Sequence, residues 1–269
     1  MSTPLFRHPF GVEAFFKNSL VLAYTAPRAQ LISKLPPYLE LDTFDDDLGF
    51  IAAAFVDTRE LRPRGFPSWL GRDFLLAGYR IFVRYRDARG RTLRGLYILR
   101  SETDRWQMRI LGNIFTSYRY NRIPLSMSSG ERSITVSSPN GLFVEALIPH
   151  SGDNPPLPEN SPFPSWKSAR RYSGPLPFTF SFDPRRSEMA IVQGVRQGWE
   201  PRPVLITRAD IPTIQVLGFT ETTLANAFVV NDIPYSWKAA RIERLPHRAT
   251  SLRKDLSDDT GSELEDEYA

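Results

Sequence analysis

The chain has 269 residues, 41% of them hydrophobic and 24% charged, a balance that argues for a packed globular protein and against a disordered or fibrous one. The formal net charge of +4 is uneven: residues 248–269 hold three basic and seven acidic side chains, so the remaining 247 residues carry +8. Cysteine is absent, which removes disulfides, thiolate nucleophiles and thiolate metal sites together.

Taken in order, residues 1–18 read as an entry strand or irregular arm, and Leu20 to Tyr24 has the length and composition of a strand. Pro27 suits a first helical turn, so a short helix is expected over 28–35, stopped by Pro36-Pro37. Leu39, Leu41 and Thr43 begin a strand, Asp45-Asp46-Asp47 turns, and Phe50 to Val56 returns as a buried strand, a hairpin. The aspartates read as a solvated loop tip rather than a calcium loop, which needs more alternating oxygen ligands and a closing glutamate. Residues 57–75, rich in Arg, Pro and Gly, predict a long connection that covers a pocket.

From Tyr79 to Arg86 the pattern has period two: Tyr79, Ile81, Val83 and Tyr85 on one face, Arg80, Phe82, Arg84 and Arg86 on the other. Arg94 to Arg100 follows as a central strand. A helix is expected over 103–111, broken by Gly112, and it leads to Tyr118-Arg119-Tyr120. Pro139-Asn140-Gly141 between Ile134–Val136 and Leu142–Ile148 signals a hairpin, because Asn-Gly tolerates positive φ. Residues 150–173 read as a long surface loop. Phe178 to Phe182 and Ala190 to Val195 form a pair, and Val204–Thr207, Thr213–Phe219, Ala227–Val230 and a segment through Trp237 and Ile242 complete the strands. The expected fold is mainly β, one domain over 1–246 with a few short helices and a disordered acidic tail over 247–269.

Chemistry is constrained by scarcity. The three histidines, His8, His150 and His247, all fall in predicted termini or loops, and no Gly-x-Ser-x-Gly elbow occurs. No histidine pair has metal-ligand spacing, and no phosphate-binding or dinucleotide-binding glycine loop is present, so neither a metal nor a cofactor is expected. The basic residues are scattered arginines without a nucleic-acid motif. No apolar run approaches the roughly 18 residues of a membrane span, and the amino terminus lacks the form of a leader; the expectation is a cytoplasmic protein with neither nucleic acid nor membrane as partner.

Of five lysines, only Lys254, in the tail, adjoins another basic residue, whereas a Schiff-base lysine must be desolvated or placed beside a cation. Lys17, after Phe15-Phe16, is either partly buried or a stem snorkelling from an apolar arm. Arg80 with Tyr118 and Tyr120 has the makings of an anion-accepting, aromatic-lined pocket; the alternative is an internally paired arginine and two core or rim tyrosines.

Leu31 to Leu41, Tyr79-Arg80-Ile81-Phe82-Val83, Arg94 to Leu99, Tyr118-Arg119-Tyr120 and Asp232-Ile233-Pro234-Tyr235, in this order and spacing, resemble a bacterial family of unknown function in the acetoacetate decarboxylase-like superfamily, over most of residues 12–245. The resemblance implies an antiparallel β-barrel or cone and a homo-oligomer. The decarboxylases place a Pro-Lys-Lys element where this chain has Ser117-Tyr118-Arg119-Tyr120, so both amines of the Schiff-base chemistry are gone. Leu76 and Gly78 stand where the unknown-function branch often carries an acidic residue and an asparagine. What remains is a protein that acts on or binds a small, partly apolar oxo or carboxylic acid. Arg80 would hold the carboxylate, Tyr118 or Tyr120 would polarise a carbonyl or donate a proton, Arg119 would supply positive field, and Lys17, which alignment of the entry strand places near the pocket, counts among the substrate-binding residues as the one amine that imine chemistry could still use. Two readings stay open: a lyase-like enzyme without the lysine, and a non-catalytic binding or scaffold protein.

Overall fold

The structure, a computed structural model, describes residues 7–45, 47–150, 152–173 and 176–246; the expected tail lies outside them. Its first half runs β1 (Val12–Ala26), α1 (Arg28–Ile32), β2 (Glu40–Leu41), β3 (Thr43–Phe44), β4 (Leu48–Pro63), a 3-10 turn (Ser68–Leu70), β5 (Arg72–Arg86), β6 (Thr92–Thr103), α2 (Trp106–Phe115) and β7 (Tyr120–Arg122). There follow β8 (Ser126–Ser129), β9 (Ser133–Ser137), β10 (Phe143–Leu147), α3 (Trp166–Ser173), β11 (Phe178–Asp183), β12 (Glu188–Arg196), β13 (Arg202–Pro203), β14 (Leu205–Asp210), α4 (Pro212–Val216), β15 (Thr223–Trp237) and β16 (Arg241–Arg244).

The protein is mostly β, as its turn-punctuated apolar runs predict. The main sheet follows the path β15-β1-β4-β5-β6-β11-β12, and pairing of β12 with β15 closes the circuit. Every link is antiparallel except β6 with β11. A second sheet, β14-β10-β9-β8, contains the predicted Asn140-Gly141 hairpin, with Gly141 at φ +92°.

The pleat decides which residues meet. On β5, Tyr79, Ile81, Val83 and Tyr85 join Leu20, Leu22, Ile51, Phe55 and Leu99 in the largest core, together with Ile134, Val136 and Val144 of the second sheet. The opposite face carries Arg80 and Phe82. At roughly 1.5–3 kcal/mol per fully buried large apolar side chain, such a core is the main favourable contribution to folding.

Four expectations are corrected. Residues 57–75 are not one long connection: β4 runs to Pro63, β5 starts at Arg72, and only the turn between them is irregular. Arg59 bridges Asp57 and Asp73 across the two strands, so ion pairs rather than an apolar stripe hold this polar end. Residues 150–173 include α3, because Phe163, Ala169 and Tyr172 pack on Phe50 and Phe82. Thr213–Phe219 is helical at α4, with Pro212 in the first turn and Gly218 at φ +88° closing it. Finally, Gly112 does not break α2, which continues to Phe115. A Cβ at Gly112 would lie 2.4 Å from the Tyr120 ring, so the residue is small to let that ring against the helix.

Candidate functional site

Arg80 is positioned by three local features. Its pairing partner on β4 is Ala52, a short side chain that leaves room for a guanidinium. On the β6 side the register slips between Tyr79 and Arg80, so Tyr79 pairs with Arg100 while Arg80 pairs with Ile98, a bulge of the kind that re-aims a side chain. The guanidinium then folds back over Gly78, where an added Cβ would lie 2.8 Å from Nη2.

It lines an inner cavity of about 130 Å³ to which strands β1, β4, β5, β6, β11, β12 and β15 all contribute. Tyr118, Tyr120, Tyr235 and Arg196 line the same space, with Phe16, Leu76, Ile98 and Trp237 among the apolar walls. Among the described residues, no carboxylate and no lysine lines it. Arg80 Nε makes no hydrogen bond with the described residues. Burial lowers the Arg80 pKa, and the charges that act against this come from Tyr235, Tyr120 and Tyr118, with no acid among them. Guanidinium remains protonated at ordinary pH even so. Arg196 is likewise pushed down by burial, opposed by Tyr235, and its Cζ sits 4.7 Å from the Trp199 ring centroid.

The tyrosines are held as neutral phenols. Burial raises Tyr118 first, and Tyr120 and Tyr235 add to it, with Arg80 opposing. Tyr120 is raised by burial, again opposed by Arg80, and Tyr235 follows the same rule, opposed by Arg196 and Arg80. The Tyr118 hydroxyl lies beside Thr179, yet finds no partner in hydrogen-bond geometry. Tyr235 stacks on Phe16 with centroids 4.7 Å apart, which fixes its ring.

A second, outer cavity of about 520 Å³ adjoins the first. Its interior is mainly apolar, including Leu61, Phe74, Met108 and Phe115, while Arg72, Asp73 and Arg105 are exposed at its edge. The buried His8 lines it too, its ring 6.0 Å from that of Tyr118 and its pKa lowered by burial against a backbone hydrogen bond to Phe10.

Of the residues singled out by sequence, the structure brings together Arg80, Tyr118 and Tyr120. Arg119 stands apart: its φ of +56° turns it outward, where it is exposed and donates to the Leu99 carbonyl and the Tyr97 hydroxyl. Lys17 is also exposed and lines neither cavity. The pairing of β1 with β4 skips it, passing from Phe16 opposite Thr58 to Asn18 opposite Asp57. Arg196 and Tyr235 were missed. They are register partners on β12 and β15, and only the tyrosine, in the Asp232 to Tyr235 motif, was signalled by sequence.

No group of three or more His, Asp or Glu side chains among the described residues is arranged to hold a metal ion. No helix among them is long and apolar enough to cross a membrane.

Comparison with solved structures gives the same architecture at low identity. The acetoacetate decarboxylase of Legionella pneumophila matches with a TM-score of 0.53 and 12% identity over 90% of each chain. An acetoacetate decarboxylase-like enzyme from Sphingomonas wittichii RW1 matches with a TM-score of 0.55 and 11% identity, over 88% of this chain and 93% of that one. The enduracididine biosynthesis enzyme MppR, solved with pyruvate, matches at 0.52 and 12% identity over 90% and 91%. Among curated proteins nothing matches in sequence. A family-wide profile does match, over residues 14–230, and the chain therefore belongs to DUF2071, a family described as an uncharacterized conserved protein, and has the acetoacetate decarboxylase-like fold.

Proposed function

We propose that this protein binds a small, partly apolar oxo or carboxylic acid in the inner cavity and acts on it without a Schiff base. The observation that carries this reading is that Arg80 and Arg196 share one cavity whose lining has no carboxylate to neutralise them and no lysine to form an imine. A desolvated guanidinium without an acid partner attracts a ligand carboxylate, which it can engage through two parallel hydrogen bonds. Arg196 supplies the second positive charge that was assigned from sequence to Arg119. Tyr118 and Tyr120, kept protonated by burial, donate to a carbonyl oxygen and stabilise negative charge as it develops there. The circuit of strand pairings supports the barrel or cone as the scaffold for this arrangement. That a protein of the same fold, MppR, was solved with pyruvate supports an oxo acid as the ligand class.

Borohydride added in the presence of a panel of 3-oxo acids tests this reading. The expected result is turnover in the wild type, loss of it in Tyr118→Phe, and no reduced protein adduct by mass spectrometry. An adduct on any lysine, Lys17 included, contradicts the proposed chemistry. Binding without turnover across the panel would instead favour a non-catalytic binding protein on the same scaffold.

A further inference from the structure

The two cavities are separated by one layer of side chains. Phe16, Leu76, Tyr118, Tyr120 and Trp237 line both, so each of these residues presents one side to the arginines and another to the larger space. No side-chain hydrogen bond among the described residues joins these five to one another. The Tyr118 hydroxyl has no hydrogen-bond partner, and Phe16 meets Trp237 edge to face at 5.7 Å through ring contact alone. Beyond the wall, the outer cavity opens to solvent on one side, and its 520 Å³ lies in the range of clefts that take a ligand of drug size. Its interior is apolar at Leu61, Phe74, Met108 and Phe115, whereas its charged side chains Arg72, Asp73 and Arg105 lie at the exposed edge and Arg62 is paired with Glu13.

We propose that the acid carries a hydrocarbon chain, which leaves the inner cavity between the wall side chains and lies in the outer one. The substrate class is then a medium- to long-chain carboxylic or 3-oxo acid, anchored at its head by Arg80 and Arg196 and sheathed along its tail by Leu61, Phe74, Met108 and Phe115. This rests on the reading of the inner cavity as a carboxylate site. It adds one separable claim: affinity must grow with chain length, because each methylene moved from water into an apolar cavity tightens binding by about three- to fourfold.

Calorimetric titration of the full chain with butyrate, octanoate and dodecanoate tests it. Octanoate is expected to bind about a hundredfold tighter than butyrate, from its four extra methylenes at that increment. Met108→Trp, which fills the outer cavity, is expected to shrink the octanoate-to-butyrate ratio by tenfold or more. Leu111→Trp, on the exposed edge of α2, makes the same test should the first variant fail to fold. Arg80→Ala is expected to weaken butyrate and octanoate by the same factor. If butyrate binds in an Arg80-dependent way and octanoate binds no tighter, the tail assignment is wrong while the carboxylate site stands. If octanoate binds tightly but is indifferent to Arg80→Ala, the proposed anchoring is wrong. If none of the three acids binds, both readings fall.

Discussion

Two regions of this protein treat arginine in opposite ways. At the β2–β5–β6 end, the fully buried Asp42 carboxylate is met by Arg84 and Arg94, and at the β5–β6 turn Asp87 is met by Arg91 and Arg241, with Glu243 bound to Arg241 and to the Tyr85 hydroxyl. There the acid is buried, the arginines reach solvent, and each charge has a partner within the chain. In the inner cavity the order is reversed: Arg80 and Arg196 are drawn into the protein and, among the described residues, no acid lines the space around them. Since a buried cation without a partner costs stability, its presence is intelligible when a ligand supplies the missing charge. The same residue type thus serves the fold in one place and, under the function proposed above, a ligand in another.

That contrast predicts opposite responses to mutation. Asp42→Ala removes a carboxylate that holds two arginines and lies next to the Tyr172 hydroxyl bond to the Asp42 backbone, so a loss of about 1–3 kcal/mol in unfolding free energy is expected, the arginines' exposure keeping it below the buried-pair limit. Urea denaturation measures it, and an unchanged midpoint would break the comparison from the structural side.

A smaller effect concerns His8 at the outer cavity. Burial holds its pKa below the ordinary 6.5, so the unfolded chain binds a proton that the folded protein resists. The stability this group contributes is complete above the unfolded pKa and is lost as pH falls through that value towards the depressed folded one. His8→Asn, which tolerates the residue's φ of +50°, should therefore make the decline in denaturation midpoint from pH 7 to pH 5 shallower than in the wild type. Equal declines would remove His8 from the account.

How much could be read beforehand follows from the range of each interaction. Arg80 was legible because a period-two strand puts it opposite Tyr79 and Ile81, a local property. Tyr118 and Tyr120 were legible through the resemblance, which sets the segment after the helix where the decarboxylases carry their lysines. Arg196 was not, because its significance depends on β12 meeting β15 across Arg196 and Tyr235, a pairing that no window of sequence contains. Arg119 misled because its place between Tyr118 and Tyr120 was taken for direction, whereas a left-handed φ turns it outward; Lys17 misled because alignment of the entry strand does not register the skipped pairing that leaves it on the surface. Polar strand ends at 57–63 and 72–75 escaped for a related reason, since Arg59, Asp57 and Asp73 hold them by charges that hydropathy does not register. The α4 helix, by contrast, carried its own markers in Pro212 and Gly218, which the β-branched residues between them obscured.

The central claim, that Arg80 is kept for a ligand and not for the fold, is tested most directly by measuring Arg80→Leu twice, once for thermal stability without ligand and once for octanoate affinity. The account predicts a Tm equal to or above that of the wild type, because a desolvated, unpartnered cation is replaced by an apolar group, and an affinity loss of at least 2 kcal/mol, about thirtyfold, because the carboxylate has lost its partner. A fall in Tm comparable to that of Asp42→Ala together with unchanged octanoate affinity would contradict it.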